Sequence, residues 1–192
     1  MIEPLLVGPR ARIEATAEKL DADLDELRIV DTPHSHASAE AAVRIAASGE
    51  ARALMKGALH TDELMSVVLA REAGLRSERQ MSHIYALDVA SYPRPLLITD
   101  GALHIQPDLS AKRDIVQNAI DLAHALGLER PRVAILSAVE TVNPRIPSTL
   151  DAAALCKMSQ RSQIAGGDLD GPLAIDNAVS VAAARAKGLD SA

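Results

Sequence analysis

The sequence predicts an α/β protein with mostly parallel sheets, flanking helices and two lobes. Three observations carry this. Short aliphatic runs alternate with longer amphipathic stretches, as in strand–helix–strand units. Turn formers such as Gly8-Pro9, Gly74, Gly127 and Gly166-Gly167 separate them. A Pro-rich turn near the middle, Ser91-Tyr92-Pro93-Arg94-Pro95, interrupts the alternation.

Leu5-Leu6-Val7 predicts the first strand, and Gly8-Pro9 turns the chain into a helix from about Arg10 to Leu20. Leu27 to Val30 is the next strand, closed by Asp31-Thr32-Pro33. A helix follows over Ser38 to Ser48, with Ala42, Ile45 and Ala46 at helical spacing. Ala53-Leu54-Met55 is strand-like and Lys56-Gly57 breaks it. Thr61-Asp62-Glu63 suits a helix N-terminus, and that helix runs to about Glu72. Ile84 to Val89 and Leu96 to Thr99 fit an antiparallel hairpin around the prolines. Pro107-Asp108-Leu109-Ser110 opens a long helix to Leu126. Val133 to Leu136 is a continuous aliphatic run, as in a strand buried on both faces. Ser148 to Met158 predicts a helix, Leu169-Asp170-Gly171 a strand end, and Leu173 to Lys187 the last helix. The hairpin makes a natural seam, giving a first lobe of 1–80 and a second of 82–188.

Composition excludes several classes. Of 192 residues, 48% are hydrophobic, enough for a core, so disorder is excluded. One Cys excludes a disulfide framework and fits a reducing cytoplasm. The net charge of −6 and the absence of Trp and Phe argue against nucleic-acid binding, which needs clustered Lys and Arg or stacking rings. No apolar run reaches the ~18 residues of a spanning helix. Ile2-Glu3-Pro4 places an acid where a secretion signal carries basic residues. The expectation is a cytoplasmic protein with no membrane partner.

Four polar segments fall where parallel α/β sheets hold ligands, beyond strand ends and at helix starts. The first is Met55-Lys56-Gly57-Ala58-Leu59-His60-Thr61. Lys56 offers a positive charge and Gly57 allows close backbone approach, which suits an anion such as phosphate. A surface Lys with a Gly-mediated turn explains the same residues, and the P-loop order is missing. The second is Thr99-Asp100-Gly101, which a simple turn would also explain. The third, Ser137 through Glu140, Thr141 and Asn143, is richer in polar groups than a connector needs. The fourth places Asp170 at a strand end and Asp176 and Asn177 at a helix start, where acids also complement the helix dipole. His34 and His36 read as solvated loop residues rather than metal ligands. His124 suits its place late in a helix, and Cys156 reads as a small core residue. No metal site is expected.

Taken in order, several phrases resemble the phosphate acetyltransferase and phosphate butyryltransferase family, its butyryl-type branch in particular. They are Leu54-Met55-Lys56-Gly57, Gly74-Leu75-Arg76, Leu97-Ile98-Thr99-Asp100 and Ile115-Val116-Gln117-Asn118-Ala119. Ala138-Val139-Glu140-Thr141-Val142-Asn143-Pro144 and Asp170-Gly171-Pro172-Leu173-Ala174-Ile175-Asp176-Asn177-Ala178 follow. The sequence also resembles the phosphate acyltransferase domain of bacterial bifunctional enoyl-CoA hydratase/phosphate acetyltransferase proteins.

This resemblance implies a two-lobed fold like that of isocitrate and isopropylmalate dehydrogenases. It implies reversible reaction of acyl-CoA with phosphate to give acyl phosphate and CoA. No cofactor is implied beyond those substrates, and a homodimer through the second lobe is expected. By the same resemblance Lys56 and Gly57 hold phosphate or the CoA phosphates. Thr99, Asp100, Ser137, Glu140, Thr141 and Asn143 line the cleft, and Asp170, Asp176 and Asn177 shape its far wall. The family's catalytic Ser-Arg pair, with an Asp a few residues on, has no match in this sequence. Relative to the family the chain reads as shortened at both ends. The alternative is therefore a non-catalytic module that binds CoA or phosphate, or dimerises. A decarboxylating NAD-linked dehydrogenase ranks lower, because no arrangement of metal-binding aspartates is evident.

Overall fold

The computed structural model describes residues 2–189. It has two compact units, Met1–Glu78 and Arg79–Ala192. Its sheets are small. Among the described residues there are three two-stranded sheets, two parallel and one antiparallel, in place of a continuous parallel sheet.

In the first unit, β1 (Leu5–Gly8) and β2 (Arg28–Asp31) pair in parallel, with Gly8 opposite Asp31. Helix α1 (Arg10–Leu20) is the crossover between them. Pro9 precedes its first turn, where a missing N–H leaves no helical bond unmade. Helix α2 (Ser35–Ala47) starts three residues before the predicted Ser38. His34 is the cause. Its Nδ1 accepts the Ala37 N–H at 3.2 Å, as a Ser or Asp cap would. His34 is thus a cap, and His36 lies in the first helical turn with Nε2 3.4 Å from Glu40. Helix α3 (Thr61–Val68) begins as predicted but stops early, and a 3₁₀ turn at Arg71–Ala73 leads to Gly74 at φ 72°.

The predicted strand at Ala53-Leu54-Met55 does not form. Residues 51–60 carry no strand or helix, and Met55 is 98% exposed. A three-residue apolar run becomes a strand only where another strand satisfies its backbone, and none pairs with this one.

The second unit opens with the antiparallel pair β3 (Ile84–Leu87) and β4 (Leu96–Thr99), Ile84 opposite Thr99. Helix α4 (Leu109–Ala125) follows, capped by the Asp108 carboxylate, which accepts the Ala111 N–H at 2.8 Å. Then come β5 (Arg132–Leu136), α5 (Pro147–Gln160) and β6 (Asp168–Leu173), with β5 and β6 parallel. The core of the unit is Val116 and Ile120 of α4, Leu155 of α5, and Ile164. Val133, Ile135 and Leu169 pack against it.

Two expectations fail here. β5 is half-buried: Val133 and Ile135 turn inward while Arg132, Ala134 and Leu136 are exposed. The core of the unit covers only one of its faces, so an aliphatic run misled. The last predicted helix, Leu173 to Lys187, is a strand end followed by two short helices, α6 (Ile175–Val179) and α7 (Val181–Ala186). Ser180 breaks them apart. It adopts extended backbone and its hydroxyl accepts the Ala183 N–H at 3.3 Å. Ser competes with helix continuation by capping, which its place in an Ala-rich run concealed.

Between β5 and β6 the register shifts after Ala134, so that Leu136 pairs with Leu173. Ile135 sits tight against Gly171 in this irregular stretch. A Cβ on Gly171 would lie 2.8 Å from both Ile135 Cβ and the Ile135 carbonyl oxygen. The strand ends are thereby pressed together, which sets where the following loops begin.

Candidate functional site

The carboxyl ends of β5 and β6 lie side by side, and residues of the third and fourth predicted segments meet there. The Ser137 N–H donates to the Leu173 carbonyl at 2.9 Å, tying the two ends. The Ser137 and Ser148 hydroxyls are 2.7 Å apart. Glu140 Oε1 accepts from Asn177 Nδ2 at 2.5 Å and from Lys187 Nζ at 2.8 Å. The same ammonium lies 3.1 Å from the Asp176 carboxylate.

One cation and two carboxylates thus share a cluster with a net charge of −1. The Lys187 hydrogen bond lowers the Glu140 and Asp176 carboxyls, and those two acids in turn raise Lys187. Asn177 is 3% exposed, and its Oδ1 is buried without a hydrogen-bond partner. This arrangement braces the loop after β5 against α6 and the end of α7. An already satisfied ammonium in a net-negative setting is poorly placed to attract phosphate.

Asn143 and Asp170 do other work. The Asn143 N–H donates to buried Thr149 Oγ1 at 2.9 Å, and its Oδ1 accepts the Arg145 N–H at 3.0 Å. It builds the turn that starts α5. Asp170 Oδ1 accepts the N–H of its neighbour Gly171 at 2.8 Å. Thr141 is exposed, and its hydroxyl has no partner among the described residues. Burial, then the Asp170 charge, pushes the Cys156 thiol up, consistent with an inert packing residue.

Asp100, after β4, forms a second centre. Its side chain is 4% exposed. Oδ1 accepts the N–H groups of Ala102 and Leu103 at 2.8 and 2.9 Å. Oδ2 lies 2.7 Å from His104 Nδ1 and accepts the His83 N–H at 3.3 Å. Burial alone would raise this carboxyl. The bonds from His104, Leu103, Ala102 and His83 outweigh it and hold the group well below the usual carboxylate range. Thr99 Oγ1 donates to the His83 carbonyl at 3.0 Å. His104 Nε2 lies 3.1 Å from Gln80 Oε1, and the Gln80 N–H donates to the buried Asp114 carboxylate at 3.0 Å. Burial would raise Asp114 too, but Gln80 and the Arg113 guanidinium lower it overall.

In the first unit, Lys56 is exposed and donates to the carbonyls of Gly57 and Leu59 at 3.2 and 3.0 Å. Gly57 faces open space, so no close backbone contact requires a glycine there. Helix α3 starts at Thr61, and no side chain caps it.

The sequence pattern did not point to Lys187, His104, Gln80 or Ser148. His104 lies four residues after Asp100, a spacing that could have suggested a local pair. Nothing local marked Lys187, which lies 47 residues from Glu140. Among the described residues no group of three or more His, Cys, Asp and Glu could hold a metal ion, and no helix is long and apolar enough to cross a membrane.

The family model described as "Phosphate acetyl/butaryl transferase" matches residues 37–192. A phosphate acetyltransferase of Rhizobium meliloti is 57% identical over 191 residues, covering 100% of this chain and 60% of that protein. A phosphate butyryltransferase of Clostridium acetobutylicum is 43% identical over 187 residues, covering 97% of this chain and 62% of that one. The crystal structure of a branched-chain phosphotransacylase from Enterococcus faecalis superposes with a TM-score of 0.78 at 27% identity, covering 100% of this chain and 75% of that one. The chain thus spans about three fifths of the length of these curated relatives.

Proposed function

The chain belongs to the phosphate acetyl/butyryl transferase family, and on that premise we propose that it serves reversible acyl transfer between coenzyme A and inorganic phosphate. The observation that carries this is the 57% identity to a phosphate acetyltransferase along the full chain. In the reaction a phosphate oxygen attacks the thioester carbonyl carbon. A C–O bond forms, the C–S bond breaks, and CoA leaves as the thiolate, which then takes a proton. The protein must bring two anionic substrates together and offset charge on the carbonyl oxygen.

Lys56 is the group in the first unit suited to phosphate or the CoA phosphates, with Gly57 beside it. Its present partners are exposed carbonyls of its own loop, which a phosphate oxygen can displace. In the second unit the lining comprises Thr99, Asp100, Ser137, Glu140, Thr141 and Asn143, with Asp170, Asp176 and Asn177 as a wall. Asp100 and Asn143 serve by holding backbone in place, and Glu140 and Asn177 by bonding to each other, with Asn177 Oδ1 left unpartnered. The reading includes an isocitrate/isopropylmalate dehydrogenase-like arrangement of lobes 1–80 and 82–188, a homodimer through the second lobe, and a cytoplasmic setting.

A second reading has its own observation: the sequence contains no Ser-Arg dipeptide. On that reading the chain binds CoA or phosphate without turnover. One experiment separates the two. Thiol release from acetyl-CoA and butyryl-CoA is followed with phosphate present, and CoA binding is measured by calorimetry on the same sample. Phosphate-dependent thiol release supports transfer by this chain. Binding without release supports the second reading, and absence of both refutes each.

A further inference from the structure

Helices α6 and α7 are too short to stand on helical propensity, since isolated helices below about 12 residues are marginal in water. Packing adds little to them. Asn177 is the buried residue of α6 and Ala184 that of α7. Ile175, Val179 and Val181 leave their apolar side chains exposed. Ser180 interrupts the two helices with extended backbone, φ −137° and ψ 113°.

The end of α7 is tied down through Lys187. Its Nζ donates to Glu140 Oε1 at 2.8 Å, in the loop after β5, and lies 3.1 Å from the Asp176 carboxylate in the first turn of α6. The ammonium and the Asp176 carboxylate are both about half-exposed, so the tie is weak and sensitive to salt. Asn177 Nδ2 donates to the same Glu140 oxygen, which sets the end of α7 beside the Asn177 amide. The closed arrangement also carries a cost. Asn177 Oδ1 is buried without a donor, which disfavours the state that holds it so. A weak exposed tie therefore works against a buried orphan, and closed and open states lie close in free energy.

We propose that α7 is a strap, hinged at Ser180 and latched by Lys187, whose opening uncovers the Asn177 amide. Closed, it holds Glu140, Asp176 and Asn177 in one fixed arrangement. Open, it frees the Asn177 carbonyl oxygen for a hydrogen-bond donor. On the acyl-transfer reading these three residues wall the substrate site, and the purpose of the strap rests on that reading. Its movement does not, and is measured without substrate.

Hydrogen exchange by NMR on the full chain tests the strap. The probes are the Ala184 and Lys187 amides, which donate to the carbonyls of Ser180 and Ala184, and the Asn177 side-chain amide on Glu140. Lys187→Met is expected to speed exchange at these groups about tenfold, as loss of one charge-assisted bond implies, while the β5–β6 ladder keeps its protection. Lys187→Arg is expected to restore most of it. Sodium chloride at about 1 M, where screening reaches about 3 Å, should act on the native chain as Lys187→Met does. Equal exchange in native chain and Lys187→Met overturns the proposal. So does native α7 exchange at the rate of unprotected amides, or a rise that extends equally to the β5–β6 ladder. Should Lys187→Met fail to fold, the salt comparison on the unaltered chain decides alone. Coenzyme A added to the native chain then tests the acyl-transfer reading apart: a shifted Asn177 amide signal supports it, and an unmoved signal counts against that reading while the strap stands on its exchange rates.

Discussion

Replacing Asp100 by Asn tests whether this residue is a structural keystone or a free ligand group. The Asn side-chain oxygen can still accept from Ala102 and Leu103 in place of Oδ1. The amide NH₂ then faces His104 Nδ1 and the His83 N–H, in place of a carboxylate oxygen at 2.7 and 3.3 Å. One charge-assisted bond is lost, and two donors face each other in a nearly buried site. The cost is about 2–4 kcal/mol. The native carboxyl is lowered by its bonds, so its stabilisation is full above the unfolded pKa, near 4. It is lost as pH falls through the lower folded value, at about 1.4 kcal/mol per pH unit. Both tyrosines, Tyr85 and Tyr92, lie in the second unit, and there is no Trp. Tyrosine fluorescence therefore reports urea unfolding of that unit alone. The gap between native chain and variant should be wide at pH 7 and narrow clearly by pH 3. A gap below about 0.5 kcal/mol at pH 7, or one unchanged from pH 6 to pH 2.5, would refute the reasoning.

Gly171→Ala places a methyl 2.8 Å from the Ile135 carbonyl oxygen, which is backbone and cannot swing aside. The same fluorescence assay should show a loss of about 2–3 kcal/mol. Lys187→Met removes the ammonium from Glu140 and Asp176, so both carboxyls should titrate higher by carbon NMR, and Lys187→Arg should restore most of that shift. The Cys156 thiol is raised by burial and by Asp170, so alkylation at pH 7 should be slow when folded and rise sharply in urea. Where the chain supports transfer, Lys56→Ala should raise the KM for phosphate by about tenfold and leave the thermal midpoint unchanged. Unaltered phosphate dependence would remove Lys56 from that role.

Local chemistry makes several elements readable from the sequence. Gly8-Pro9 sets the start of α1, and Pro93 and Pro95 keep β3 and β4 as a hairpin. Asp108 announces α4 by capping it. Readability fails where distant partners decide. Ala53-Leu54-Met55 has strand composition but no strand beside it. β5 looks doubly buried because its residues are aliphatic, while packing covers only the Val133 and Ile135 side. The turn at Ser180 depends on one hydroxyl choosing a cap over a helix. Lys187 is invisible in the sequence because its two acids become neighbours only after β6 and α6 are in place.

The same distinction divides the residues singled out from the sequence. Asp100 receives two N–H groups on one oxygen, and a third plus an imidazole on the other. Asn143 fixes the turn into α5, Asn177 donates directly to Glu140, and Asp176 joins Glu140 through Lys187. Residue types that look like ligand groups in a sequence are equally the ones that hold irregular backbone, because both tasks need short polar side chains. Two of those residues keep more capacity. The Thr141 hydroxyl is unengaged, and Lys56 is bound only to exposed carbonyls of its own loop. Substitutions in the braced set should therefore act first on the thermal midpoint. Substitutions at Thr141 and Lys56 should act on ligand affinity at constant stability, and a midpoint loss at those two positions would mean that they are braces as well.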